Sequence, residues 1–138
     1  MKVNSVDNKK GIYVFKLDEK NFIKFCPKRG GLITNWVSDG KEILYFDEER
    51  FIDKTKSIRG GIPILFPICG NLDIPNSLFG KNYMQFMQHG FARDLQWQHY
   101  LNDKKNSLCL ILQDNENTKT YYPYNFELKI KVSLKINC

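Results

Sequence analysis

A chain of 138 residues has room for one modest domain with a single hydrophobic core, and its 42% hydrophobic, 14% aromatic and 26% charged residues are those of a folded globular protein. No apolar stretch approaches the roughly 20 residues a membrane-spanning helix needs, and no apolar targeting run follows the basic segment Met1 to Lys10, so a cytoplasmic protein is expected. The net charge of +6 comes from 17 Lys and 4 Arg scattered along the chain beside 13 Asn and 13 Ile, which is compositional drift on a solvated face rather than a nucleic-acid-binding stripe.

In chain order, Gly11–Leu17 and Asn21–Cys26 are runs of β-branched and aromatic residues around the polar turn Asp18-Glu19-Lys20, which predicts a hairpin. Arg29-Gly30-Gly31 breaks the pattern, and Leu32–Val37 resumes it. Ser38-Asp39-Gly40-Lys41 supplies a turn before a further strand at Glu42–Phe46. The charged stretch Asp47–Lys56 is a helical turn or a loop. Asp94–Leu101 and Ser107–Gln113 are predicted strands around the turn Asn102–Asn106. From Phe126 to Ile136 apolar and polar residues alternate strictly, which predicts a long, half-buried antiparallel strand. Strands and turns at this spacing predict an all-β antiparallel sandwich. Cys26, Cys69, Cys109 and Cys138 are too far apart for a CxxC pair or a zinc ligand set, and buried, reduced thiols are expected.

The chemistry-bearing residues lie in the middle. Arg59 precedes Gly60-Gly61 and the proline-stiffened run Ile62-Pro63-Ile64-Leu65-Phe66-Pro67, an arrangement suited to a fixed anion or hydroxyl clamp. Met87-Gln88-His89-Gly90-Phe91-Ala92-Arg93 then sets an amide, an imidazole and a guanidinium around a glycine. Other polar and aromatic residues have plainer readings. His99 sits within a strand and is assigned no function; Asp114, Glu116 and Glu127 are turn and strand-surface carboxylates; Trp36 and Trp97 are core residues, with Trp97 able to lie near the pocket.

With these residues the chain resembles the glucose-6-phosphate 1-epimerase branch of the aldose 1-epimerases. Arg59-Gly60-Gly61-Ile62-Pro63 with Phe66-Pro67 is similar to the family's arginine-bearing loop. Gln88-His89-Gly90-Phe91-Ala92-Arg93 with Trp97 is similar to its histidine-glycine-phenylalanine motif, and Tyr122-Pro123-Tyr124-Asn125-Phe126 leads into the long strand as expected. The resemblance implies a galactose mutarotase-like supersandwich, of which residues 1–138 are the N-terminal part of a single domain. It also implies a cofactor-free and metal-free interconversion of hexose-phosphate anomers by acid/base ring opening. Arg59, Gln88, His89 and Arg93 match substrate-binding positions, with His89 in a supporting hydrogen-bonding role.

The same resemblance implies full-length members about twice this long, with the general acid, a substrate-binding aspartate and the general base in the later half. Three possibilities then follow for the chain alone. It is a truncated or split epimerase, weakly active or inactive without a complementary C-terminal fragment; a non-catalytic carbohydrate-binding remnant; or an unrelated basic β-domain that binds nucleic acid. The first two are favoured, with a small sugar phosphate as the partner and neither nucleic acid nor membrane. The uncovered apolar face of the last strand adds an expectation of self-association.

Overall fold

The computed structural model describes residues 3–7, 10–71, 88–102, 107–120 and 122–135. Two antiparallel sheets form the framework. The first has the order β1-β2-β3-β4-β5, with β1 at Val3–Asp7, β2 at Ile12–Lys16, β3 at Phe22–Cys26, β4 at Leu32–Ser38 and β5 at Lys41–Glu42. The second has the order β6-β7-β8, with β6 at Gln98–Asn102, β7 at Ser107–Gln113 and β8 at Glu127–Ser133. Short helices at Glu48–Ile52 (α1) and Glu116–Lys119 (α2), and a 3-10 turn at Ala92–Asp94, fill the connections.

The expected hairpin is present as β2 and β3, paired so that Phe15 faces Ile23 and Tyr13 faces Phe25. The turn between β4 and β5 is a two-residue loop, Asp39-Gly40, with both residues at positive φ (47° and 74°) and Ser38 paired to Lys41. That is the turn whose twist matches two right-twisted strands, and Asp-Gly tolerates it best.

Strand boundaries differ from expectation where a neighbouring loop captures the backbone. Instead of running to Phe46, β5 stops at Glu42, because the Tyr45 carbonyl accepts from Gly61 N (2.8 Å) and Asp47 N donates to the Arg59 carbonyl (3.1 Å). Asp94 to Trp97 is not strand either. Asp94 N turns back onto the Phe91 carbonyl (3.0 Å) and Trp97 N bonds the Pro27 carbonyl (2.9 Å), so the strand begins at Gln98. Phe126 N is taken by Asp114 Oδ1 (3.0 Å), which delays β8 to Glu127. Residues 103–106 of the expected turn, Ile136 and Cys138 lie outside the described residues.

The charged stretch at 47–56 resolves into α1, opened by Asp47, whose carboxylate accepts from Arg50 N (3.0 Å), with Glu48 and Glu49 in its first turn. Such a cap contributes about 1 kcal/mol. Helix α2 is opened by a reciprocal box in which Asn115 Oδ1 accepts from Thr118 N (3.1 Å) and Thr118 Oγ1 accepts from Asn115 N (2.8 Å). No helix among the described residues is long and apolar enough to cross a membrane.

The core lies between the sheets, where Phe15, Ile23 and Phe25 of the first meet Leu108, Leu110 and Leu112 of the second, joined by Trp97 and Ala92. Each fully buried Phe or Leu contributes about 1.5–3 kcal/mol of transfer free energy. Trp97 is 1% exposed, as expected of a core residue, but Trp36, paired with Ile23 on the same face of the sheet, is 41% exposed because it lines an open cleft with Ile33, Ile62, Val132 and Leu134. Cys26 and Cys109 are buried thiols, whereas Cys69 is exposed in the loop after Pro67. Burial pushes the Cys26 thiol up from its ordinary value.

His99 on β6 bridges the two sheets, its ring 4.8 Å from that of Tyr13 and 5.5 Å from that of Phe25. Desolvation there lowers its pKa below the ordinary 6.5. The neutral ring is therefore the folded form. Stability is fully present above about pH 6.5 and declines as pH falls below it, since the unfolded chain takes up the proton first. A urea midpoint that drops between about pH 7.5 and about pH 5, with a smaller drop in His99→Phe, is the expected outcome.

Candidate functional site

Both arginine-glycine-glycine segments exist to let another segment approach. At Gly30 (φ 72°) a Cβ would collide with the Arg93 carbonyl, and Gly30 N donates to the Leu95 carbonyl (2.9 Å). Gly31 leaves room for the Trp97 indole, where a Cβ would lie 3.2 Å from Cγ, and the indole Nε1 donates to the Ala92 carbonyl (2.9 Å). Residues 29–31 are thus the seat on which the Ala92–Asp94 turn rests.

Gly60 (φ 83°) and Gly61 (φ 70°) play the matching part for the other loop. A Cβ on Gly60 would fall inside contact distance of the Tyr45 carbonyl, and one on Gly61 would lie 2.5 Å from the Ile33 carbonyl, which accepts from Ile62 N (2.8 Å). These bonds hold Arg59 at the lip of the first sheet.

Phe66 joins the loops. Its carbonyl accepts from Phe91 N (2.9 Å) and Ala92 N (3.2 Å), next to a bridge with Gly90. The peptide bond from Phe66 to Pro67 is cis. The Phe66 ring packs against those of Phe91 (5.9 Å), Tyr122 (5.4 Å) and Phe126 (5.0 Å). The segment leading into β8 thereby clamps both motifs from one side.

Arg59 and Arg93 come together, lining a cleft of about 380 Å³ whose walls also carry Arg29, Lys54, Lys56 and Asp94. Five cations face one carboxylate, so the space suits an anion. Arg93 Nη2 donates to the Gln88 carbonyl (2.9 Å), and its Nε lies 3.7 Å from Asp94 Oδ2. Gln88 and His89 do not line this cleft; Arg93 links them to it through the backbone. Met87 lies outside the described residues.

His89 is held separately and firmly. It has φ 70°, its N donates to the Gly70 carbonyl (2.8 Å), and its Nδ1 accepts from Gly70 N (2.8 Å). An imidazole that accepts at Nδ1 carries its hydrogen on Nε2. His89 can then donate a hydrogen bond to a sugar oxygen, but it has no free lone pair with which to act as a base.

Arg29 and Lys54 were not among the residues expected from the sequence. Arg29 carried a visible signal, since Arg29-Gly30-Gly31 duplicates Arg59-Gly60-Gly61. Its guanidinium donates to the Phe51 carbonyl and lies 4.9 Å over the Phe51 ring. Lys54 carried none, because one lysine in a charged loop looks like any other. Lys56 is paired with Asp53 (3.2 Å), whose carboxyl is held below its ordinary range first by the Thr55 hydroxyl and N–H and then by Lys56. Among the described residues no cluster of His, Cys, Asp and Glu could hold a metal ion.

The pattern of the aldose 1-epimerase family matches residues 13–138. A Cenchrus ciliaris protein provisionally named glucose-6-phosphate 1-epimerase is 32% identical over 115 residues, covering 76% of this chain and 31% of the relative. A Salmonella typhimurium protein of the same provisional name is 29% identical, covering 80% of this chain and 36% of its own length. Among solved structures, a Synechocystis sp. PCC 6803 protein superimposes with a TM-score of 0.80 at 44% identity, covering 91% of this chain and 44% of that one. A galactose mutarotase related enzyme from Lactobacillus acidophilus gives 0.71 at 27% identity, covering 91% and 40%. The fold is therefore of the galactose mutarotase kind. The aligned part of the chain spans about a third of the length of the curated relatives it matches and 40–44% of the solved structures.

Two substitutions test the local geometry by urea denaturation. Gly60→Ala is expected to cost about 2 kcal/mol or more, because the backbone it meets cannot yield, whereas Gly40→Asn, with nothing within 4 Å, should change stability by less than about 0.5 kcal/mol. At position 89, Asn tolerates positive φ and offers an acceptor to Gly70 N. His89→Asn should lose less than about 1 kcal/mol and His89→Val about 2 kcal/mol or more.

Proposed function

The chain belongs to the aldose 1-epimerase family, and from that premise we propose that it binds a hexose phosphate of the glucose 6-phosphate kind as the recognition part of a mutarotase. Arg93 carries this reading. Its guanidinium lines the cationic cleft beside Arg59 while it ties the backbone of Gln88, next to His89, so one side chain couples anion recognition to sugar hydrogen bonding. Arginine's forked donors match phosphate oxygens.

Mutarotation requires a base to take the anomeric hydroxyl proton and an acid to protonate the ring oxygen. The bond from the anomeric carbon to the ring oxygen breaks, the aldehyde carbon rotates, and closure onto its other face, with both protons returned, yields the other anomer. Around this cleft the carboxylate is Asp94, lying against Arg93, and His89 has only Nε2–H to offer. These groups bind and orient; they do not form an acid/base set. In this proposal the proton-transfer residues come from outside the described residues, and the setting is a reducing cytoplasm suited to the free thiols Cys26 and Cys109. A sugar-phosphate-binding protein without catalysis is the second reading, favoured by the lack of a base around the cleft among the described residues.

Magnetisation-transfer NMR of glucose 6-phosphate with the 138-residue chain provides the test. The expected result is saturable broadening of the sugar-phosphate resonances with anomer exchange at its spontaneous rate. Faster exchange that His89→Ala or Arg93→Ala abolishes would mean these residues do form a working acid/base set. No interaction with glucose 6-phosphate would remove the sugar-phosphate reading itself.

A further inference from the structure

The five cations of the cleft are not equivalent. Lys56 is neutralised by Asp53 (3.2 Å), and Arg93 is committed to the Gln88 carbonyl (2.9 Å) and lies beside Asp94 (3.7 Å). Arg29 is held by the Phe51 carbonyl and ring, which fix its position and leave its charge uncompensated. Lys54 and Arg59 make no side-chain hydrogen bond or ion pair among the described residues.

Three positive charges without carboxylate partners, those of Arg29, Lys54 and Arg59, therefore face one partly enclosed space of about 380 Å³. Like charges gathered there repel one another, and the fold gains nothing from them unless an anion enters. A phosphate monoester fits in charge and size, carrying about −1.5 to −2 near pH 7 with three acceptor oxygens.

The three differ in freedom. Arg29 is clamped, and Arg59 stands on a backbone fixed by Asp47 N and by the two glycines that follow it. Lys54 projects from the loop after α1 on a long stem, with no side-chain partner among the described residues. We propose that Lys54 is the arm that closes on the phosphate, with Arg29 as a fixed cation behind it, and that together they make this cleft select phosphorylated over unphosphorylated hexoses. The proposal rests on the sugar-phosphate reading above and adds two residues to Arg59, Gln88, His89 and Arg93. It divides the site into a phosphate end, at Arg29, Lys54 and Arg59, and a sugar end, at Gln88 and His89, with Arg93 between.

The test is a calorimetric titration of the full chain with glucose 6-phosphate, inorganic phosphate and glucose. Lys54→Ala should weaken glucose 6-phosphate and inorganic phosphate by about tenfold or more and leave glucose unchanged, since a hydrogen bond to a charged group is lost. Lys54→Arg should recover most of the affinity, and Lys119→Ala, at a lysine paired with Asp114 outside the cleft, should bind like the wild type. Circular dichroism of Lys54→Ala identical to wild type excludes a folding effect. If Lys54→Ala binds glucose 6-phosphate normally while Arg59→Ala does not, Lys54 is no phosphate ligand and the broader reading survives. If the wild type binds glucose 6-phosphate no better than glucose, both are overturned.

Discussion

The Phe66 carbonyl, accepting from two successive backbone N–H groups at Phe91 and Ala92, holds the two motifs of this protein in register with each other. Everything at the site hangs from that contact. It needs Gly90, because a Cβ there would strike the same carbonyl, and it needs the edge-on and tilted rings of Phe91, Tyr122 and Phe126 to keep water from competing for it. With Phe66 anchored, Arg93 falls at the mouth of the cleft where Arg59 already stands, though the two are far apart in sequence.

The division of labour follows from polarity. The sandwich interior takes Phe15, Phe25, Leu108 and Leu110 and leaves no room for uncompensated charge, so the cations gather at the edge where glycines bring loops together. His89, locked at both its N–H and its Nδ1 by Gly70, is a rigid donor rather than a mobile base. Among the described residues the cleft gathers five cations against one carboxylate.

Much of the framework is legible in the sequence, and for physical reasons. The hairpin of β2 and β3 shows as runs of β-branched and aromatic residues, β7 as a short apolar run buried on both faces, and β8 as a strict alternation because only one of its faces packs on the core. The Asp39-Gly40 turn announces its positive φ values. What stays hidden depends on long-range partners. Nothing local tells Tyr45 and Phe46 to leave β4 for the Arg59–Gly61 loop while Ile43 N still bonds the Trp36 carbonyl, or Asp94–Trp97 to coil onto Pro27. The exposure of Trp36 depends on the cleft it lines with Ile62 and Val132, residues remote from it in sequence. Of the site, Arg59 and Arg93 were legible as partners and Gln88 and His89 as their neighbours. Arg29 shows only as a repeated tripeptide, and Lys54 is indistinguishable from the other lysines until the cleft exists.

The aromatic cluster has a consequence for synthesis on the ribosome. Both motifs have left the exit tunnel well before Tyr122 and Phe126, the rings that cover Phe66. Contacts of such sequence separation wait on the closure of long loops. A nascent chain that has emerged only as far as Arg93 carries both motifs with the Phe66 ring still uncovered. For that interval its exposed aromatic surface is the kind that chaperones hold and that aggregation exploits.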